Sequence, residues 1–217
     1  MAEAERDTLN VWDVLKPTPD KLRGADRLLK GAGLLLQSKF RDRMTIATLL
    51  EAHAGRRPEH PALTFEGQRW TYAQFNALAN RYARTFKAGG IGAGDVVGVL
   101  LDNRPEALIA VAALAKLGAA AAMCNTKQRG EVLAHSLGTV EPRALLVGGE
   151  LYAAFDAIRD DPRVAGLDPV WFVPGGDLRT PPAGCRDFLA EARNRAAGNL
   201  DDAAAVSRDA TCFYIFT

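Results

Sequence analysis

Two short polar stretches gather side chains that could hold a ligand. Asn125, Thr126, Lys127, Gln128 and Arg129 put two amides, a hydroxyl and two cations into five residues, and Asp102, Asn103 and Arg104 add a carboxylate, an amide and a guanidinium. Each stretch follows an apolar run that reads as a strand, and doubly wound sheets bind ligands beyond the carboxyl ends of their strands. Both also have local uses. Asn125 and Arg129 can fix their loop through backbone hydrogen bonds, and residues 102–104 stand where the next helix needs capping.

Other chemistry has less support. Residues 89–95 read GGIGAGD. The spacing is not G-x-G-x-x-G, and the loop precedes a strand, whereas phosphate loops open a helix whose N–H groups face the anion. The stretch reads as a tight helix-to-strand connection. His53, His60 and His135 form no metal-binding pattern, and Cys124, Cys185 and Cys212 are odd in number, far apart and without CxxC spacing. This argues against a zinc site or a disulfide framework, and for a reducing cytoplasm. The chain has 217 residues, 48% apolar and 24% charged, with a formal net charge of +1. That is ordinary globular composition, enough for one large domain or two small ones, and its bulk charge gives no reason to expect nucleic acid.

The elements that must position the polar stretches follow from the apolar pattern. Val96, Val97, Val99, Leu100 and Leu101 form an unalternating run that suits a strand buried on both faces. Asn103 and Pro105 signal a helix start, Leu108, Val111, Ala112, Ala115 and Leu117 give that helix an apolar stripe, and Gly118 ends it. Residues 119–124 then form a return strand, parallel to the first.

Upstream, residues 45–53 read as a helix with Ile46, Leu49 and Leu50 on one side, and residues 62–65 and 69–72 as a hairpin around Glu66-Gly67. Thr71 and Gln74 have capping-box spacing, opening a helix whose apolar face is Phe75, Leu78, Ala79, Tyr82 and Phe86, with Arg81, Arg84 and Lys87 solvated. Downstream come a helix with Val132, Leu133, Ser136 and Leu137, a strand over 144–147, a helix over 151–158, a strand over 170–173, a loop over 174–182, a helix over 188–196 and a final strand over 212–216. Repeated βα alternation predicts an α/β fold with a doubly wound, mostly parallel sheet, residues 96–101 at its centre.

Residues 1–43 differ from the compact region 44–217. Between Lys16 and Arg43 eight basic residues stand against three acidic ones, with leucines among them. That mixture fits either a basic amphipathic segment on an anionic membrane surface or a helical arm packed on protein. The apolar run there is short and broken by Gly31 and Gly33, unlike a signal peptide, and the longest apolar region, residues 107–124, carries Lys116 and is mostly alanine, unlike a membrane span.

Taken together, WTYAQFNALANRYARTF from Trp70, GDVVGVLLDNRPEALIAVAALAKLGAAAAMCNTKQR from Gly94, LAHSL from Leu133, ALLVGGEL from Ala144 and the closing CFYIFT resemble the N-terminal portion of an adenylate-forming enzyme. The branch is that of long-chain and very-long-chain acyl-CoA synthetases of the fatty acid transport protein type, and the similarity covers residues 44–217. It implies a ligase that activates a long-chain fatty acid with ATP and Mg2+ to acyl-AMP and passes the acyl group to coenzyme A, at a cytoplasmic location peripheral to a membrane. In the family a strand like CFYIFT runs into a phosphate loop, of which this chain has only the first residue, Thr217. The family's later motifs have no counterpart here, so the resemblance implies a fragment, inactive alone, whose unfinished sheet would promote self-association. Asn125, Thr126, Arg129 and His135 match an arrangement in the transport-protein branch, which implies a place near the acyl or pantetheine channel. Two alternatives stay open: an acyl-AMP ligase fragment serving a carrier protein, and a noncatalytic binding or membrane-tethering module.

Overall fold

A computed structural model describes residues 45–201, 206, 207 and 209–216; the basic extension 1–43 and Thr217 lie outside the described residues. Helix α1, Ile46–Arg56, opens with a capping box between Thr45 and Thr48. The hairpin β1 (Pro61–Phe65) and β2 (Gln68–Thr71) turns through Glu66 and Gly67, both at positive φ, 47° and 78°. Two successive positive φ values define the turn whose twist matches that of the flanking strands, and Glu66 accepts the conformation that glycine takes without strain. Thr71 then closes the predicted capping box with Gln74 and starts α2, Tyr72–Ala88.

The main sheet is parallel throughout. Strand β3 (Val96–Leu100) is followed by α3 (Pro105–Leu117), β4 (Ala120–Met123), α4 (Gly130–Thr139), β5 (Ala144–Gly148), the short α5 (Tyr152–Asp156), β6 (Val170–Val173), β7 (Arg186–Asp187), α6 (Phe188–Arg193) and β8 (Phe213–Ile215). The strand order is β7-β6-β5-β3-β4-β8, so β3 is central and the chain reverses its direction of travel across the sheet after β4. This is the doubly wound arrangement expected from the sequence. The two-residue β7 had no sequence signal, because a strand that short shows no period.

Both faces of the sheet are covered. Val97, Val99 and Leu146 face a core shared with α1, α2, α3 and α6, while Leu100, Leu145 and Val147 face one built from α4, α5 and the turns after α5. Alternate residues of one apolar run thus enter two cores, which is why the run shows no polar alternation. Gly89, closing α2, lies against the indole of Trp171, which a side chain there would strike. Trp171, Phe86, Phe188 and Tyr82 pack edge-on or tilted, with centroids 4.8–5.7 Å apart.

Several expected faces differ. In α3 the predicted stripe includes Leu108, yet Leu108 is 52% exposed and the buried residues are Ala107, Ile109, Ala110, Ala112, Ala113, Leu114, Ala115 and Lys116. This helix is apolar almost all round, so its period carries little information, and alanines face inward because they let α2 approach closely. In α1 the buried pair is Ala47 and Leu50, while Ile46 and Leu49 are exposed. Val132 also lies outward on α4. Arg84 is not a solvated surface group: its guanidinium donates to the carbonyls of Ala196, Gly198 and Asn199, at 2.6–3.1 Å.

Candidate functional site

Because every strand of the main sheet runs the same way, the segments after β3, β4, β5, β6 and β8 all emerge at one end. Two clusters form there.

The first follows β4. Asn125 accepts the Lys127 backbone N–H at 3.0 Å through its side chain, and its carbonyl accepts the Gln128 N–H at 3.0 Å. Arg129 sits at the N-cap position of α4 without a side-chain cap, and its guanidinium donates to the carbonyls of Thr126 and Gln128 at 2.6 and 2.7 Å. Both side chains therefore shape the loop. Thr126 is half-buried, whereas His135 lies one turn and more along α4 with an exposed side chain. The structure brings Asn125, Thr126 and Arg129 into one turn and leaves His135 apart from their hydrogen bonds. Strand β8 pairs with β4, with Ile215 opposite Met123, so the chain leaving β8 runs out beside this loop.

The second cluster lies where β3 and β5 part, the position at which doubly wound sheets open a crevice. A crevice of about 470 Å3 there is lined by residues 102–106, Glu150, the loop 174–176 and Arg179, with the hairpin on its other side. Asp102, Asn103 and Arg104 do not cap α3 as expected. Arg104 occupies the N-cap position but has only donors, so it cannot accept from the free N–H groups. Its guanidinium instead holds Glu106, at 2.9 and 3.1 Å, and Glu150, at 3.2 Å. Glu150 also accepts the Asp102 N–H at 3.0 Å, tying the end of β3 to the end of β5. Burial opposes the charge on Arg104, but the hydrogen bonds and charge of Glu106, with Glu150 behind them, outweigh it and hold its pKa above the ordinary arginine value. Gly148, Gly149 and Gly175 leave the space that the Glu150 carboxylate and the neighbouring backbone fill.

Glu150 is the member of this cluster that sequence reasoning missed. Its signal was local: two glycines and an acid directly after a buried strand.

The crevice lining holds Glu66, Asp102, Glu106 and Glu150 against Arg104 and Arg179, so it is acidic and unsuited by itself to a triphosphate. The glycine-rich loop offers no substitute. Its Gly92 N–H is taken by the Asp95 carboxylate at 2.7 Å, and it leads into β3, in agreement with a connecting role. Cys124 is buried, which pushes its thiol up to about 12 and leaves it unreactive. Among the described residues no set of three or more His, Cys, Asp or Glu is placed to hold a metal, and no helix is long and apolar enough to cross a membrane.

The fold and its sheet-end loops agree with a wider comparison. A sequence profile described as AMP-binding enzyme matches residues 50–217. The chain belongs to this AMP-binding enzyme family. Among curated relatives, a medium/long-chain-fatty-acid--CoA ligase, FadD6 of Mycobacterium tuberculosis, is 36% identical over 211 residues, covering 97% of this chain and 33% of that protein. Long-chain fatty acid transport protein 1 of Bos taurus is 42% identical over 123 residues, 56% of this chain and 19% of that protein. A solved Mycobacterium tuberculosis fatty acyl CoA synthetase superimposes with a TM-score of 0.67 at 28% identity, over 81% of this chain and 33% of that one. The chain spans a third or less of the length of these AMP-binding relatives. The resemblance of residues 44–217 to long-chain acyl-CoA synthetases and fatty acid transport proteins, read from the motifs between Trp70 and Leu151 and the closing CFYIFT, is borne out.

Proposed function

We propose that this chain supplies the first part of the AMP-binding domain of an ATP-dependent fatty acyl-CoA ligase. A carboxylate oxygen is a poor leaving group, so joining a fatty acid to a thiol requires activation. The parent enzyme would form acyl-AMP and pyrophosphate, with Mg2+ offsetting phosphate charge, and coenzyme A would then displace AMP. The observation that carries the reading is the match to FadD6 along nearly the whole chain, on a sheet of the same fold.

The described residues do not assemble a triphosphate cradle, so no step of adenylation is assigned to them. Their role in this reading is structural and positional. The β4 loop, with Asn125 and Arg129 holding its shape, would form part of the wall of the acyl or pantetheine channel. Thr126 would be the member of the group left to meet a ligand, His135 would lie further along α4, and Thr217 would begin the phosphate loop. The basic stretch 16–43 would hold the enzyme against anionic lipid, at the face where its fatty acid partitions.

The test is a chimera in which this chain replaces the matching first third of FadD6. Fatty-acid-dependent pyrophosphate release by the chimera, with none by the 217-residue chain, is the expected result. A folded chimera without turnover, or turnover by this chain alone, would overturn the proposal.

A further inference from the structure

The hairpin is a two-stranded sheet of its own, so among the described residues no strand lies beside the outer edge of β2. Phe65 and Gln68 flank the two-residue turn and therefore exchange hydrogen bonds, as do Leu63 and Trp70, which leaves Thr64 and Arg69 as the pair that does not. The Arg69 N–H and C=O consequently point away from β1, and neither takes a hydrogen bond from a described residue. A groove of about 620 Å3 lies against this edge, between β2 and α2. Trp70 and Leu78, both half-buried, give it an apolar floor, and its two charged groups, Arg69 and Arg81, are both cations. Arg81 gives one nitrogen to the Arg193 carbonyl at 3.3 Å, while the Arg69 guanidinium has no partner among the described residues.

An unpaired edge accepts another extended chain through its backbone groups, about 4.8 Å away, and the alternate side chains of that chain decide which one fits. A second copy paired about Arg69 would set two arginines directly opposite each other, which opposes pairing. A carboxylate at that position is favoured instead, and its two neighbours along the added strand then fall on the Trp70 face, over the apolar floor. We propose that β2 and α2 form a docking groove for an extended segment of a partner protein in which an acidic residue stands between two apolar ones. The acidic residue donates its N–H to the Arg69 carbonyl and accepts the Arg69 N–H, its carboxylate meets the Arg69 guanidinium, and the flanking side chains cover Trp70 and Leu78. The inference does not rest on the ligase reading, which assigns no role to β2 or α2.

The probe is the peptide acetyl-Thr-Val-Glu-Val-Thr-amide, titrated into the isotope-labelled 217-residue protein and followed by its backbone amide spectrum and by hydrogen exchange. Saturable shifts centred on residues 68–70, with slowed exchange of the Arg69 amide, are expected. Two control peptides, one with lysine in place of glutamate and one methylated on the glutamate nitrogen, should each bind about fivefold more weakly, the first by charge and the second by losing a backbone donor. Arg69→Glu should weaken the glutamate peptide by about fivefold and favour the lysine peptide, with little change in thermal midpoint, since the replaced guanidinium has no partner in the chain. No saturable binding, equal binding of either control by the wild-type protein, or unchanged affinity in Arg69→Glu would overturn the inference. So would an Arg69→Glu protein that is monomeric where the wild type dimerises, because the occupant of the edge would then be a second copy.

Discussion

Lys116, near the end of α3, is wholly buried, and its ammonium group donates to the carboxylate of Glu51 on α1. The charge survives in the core because its partner reaches it from the surface side, where Glu51 keeps partial exposure. Removing one member of such a pair strands the other, so Glu51→Gln should cost about 3 kcal/mol, measured by urea unfolding. Replacing both, as Glu51→Leu with Lys116→Met, should recover most of the loss. Equal stability of Glu51→Gln and wild type would mean that the ammonium is satisfied by other means.

The same pair gives a pH dependence. Burial holds the Lys116 pKa below the ordinary lysine value, and the hydrogen bond and charge of Glu51 offset only part of that. The unfolded chain therefore binds the extra proton in the interval between the two values, and stability rises with pH through it. Glu51→Gln widens the interval downward. Its deficit should be largest near neutral pH and shrink as the pH approaches the ordinary lysine value of about 10.4. A deficit that stays constant from neutral to alkaline pH would count against the ammonium as its source.

A second polar anchor fixes residues 196–200 onto α2. Asn80, wholly buried, donates to the Ala197 carbonyl at 2.8 Å and to the Asn199 side chain at 3.0 Å, and Asn76 donates to the same Asn199 oxygen at 2.8 Å. Asn80→Ala should destabilise the protein by about 1–3 kcal/mol, because buried acceptors lose their donor. Limited proteolysis should then cut first between residues 194 and 201. Unchanged cleavage there would show that Arg84 and Asn76 retain the segment without Asn80.

How much of this was legible beforehand follows from where the physical signal resides. Strand β3 was readable because its apolar run serves two cores, and α2 because Thr71, Gln74 and a clear 3.6-residue period agree. The inward face of α3 was not, since a helix of alanines and leucines has no polar side to set against an apolar one. The Arg104–Glu150 contact joins residues 46 apart in sequence, and Arg84 reaches carbonyls more than 110 residues on. Such pairs depend on strand order and on backbone acceptors, which leave no mark in residue type. Candidate residues 125–129 were legible as a loop after a strand, but which of their side chains turn back to the backbone was visible only in three dimensions.

For the basic stretch, each Lys or Arg near anionic lipid contributes about 1 kcal/mol, reduced by salt. The protein should sediment with phosphatidylserine vesicles at low ionic strength and be released at high ionic strength. A variant starting at residue 44 should stay in the supernatant throughout. Equal sedimentation of both forms would assign residues 16–43 to packing on protein.

Strand β8 carries the last prediction. It pairs with β4 on one side, and among the described residues no strand lies on the other. Phe213 and Ile215 are 45% and 67% exposed, and Tyr214 between them is also open. An edge strand with apolar side chains and unpaired N–H and C=O groups is a template for another strand, and nothing in the sequence 213–215 blunts it with charge or proline. The 217-residue chain should therefore self-associate as its concentration rises, read by sedimentation velocity. Ile215→Lys should shift that equilibrium at least tenfold toward monomer, since a charge on an edge strand opposes pairing. The parallel ladder to β4 runs through backbone groups that the substitution leaves in place, so the monomer's circular dichroism and thermal midpoint should change little. Association that persists in Ile215→Lys at the wild-type concentration would place the contact elsewhere on the molecule.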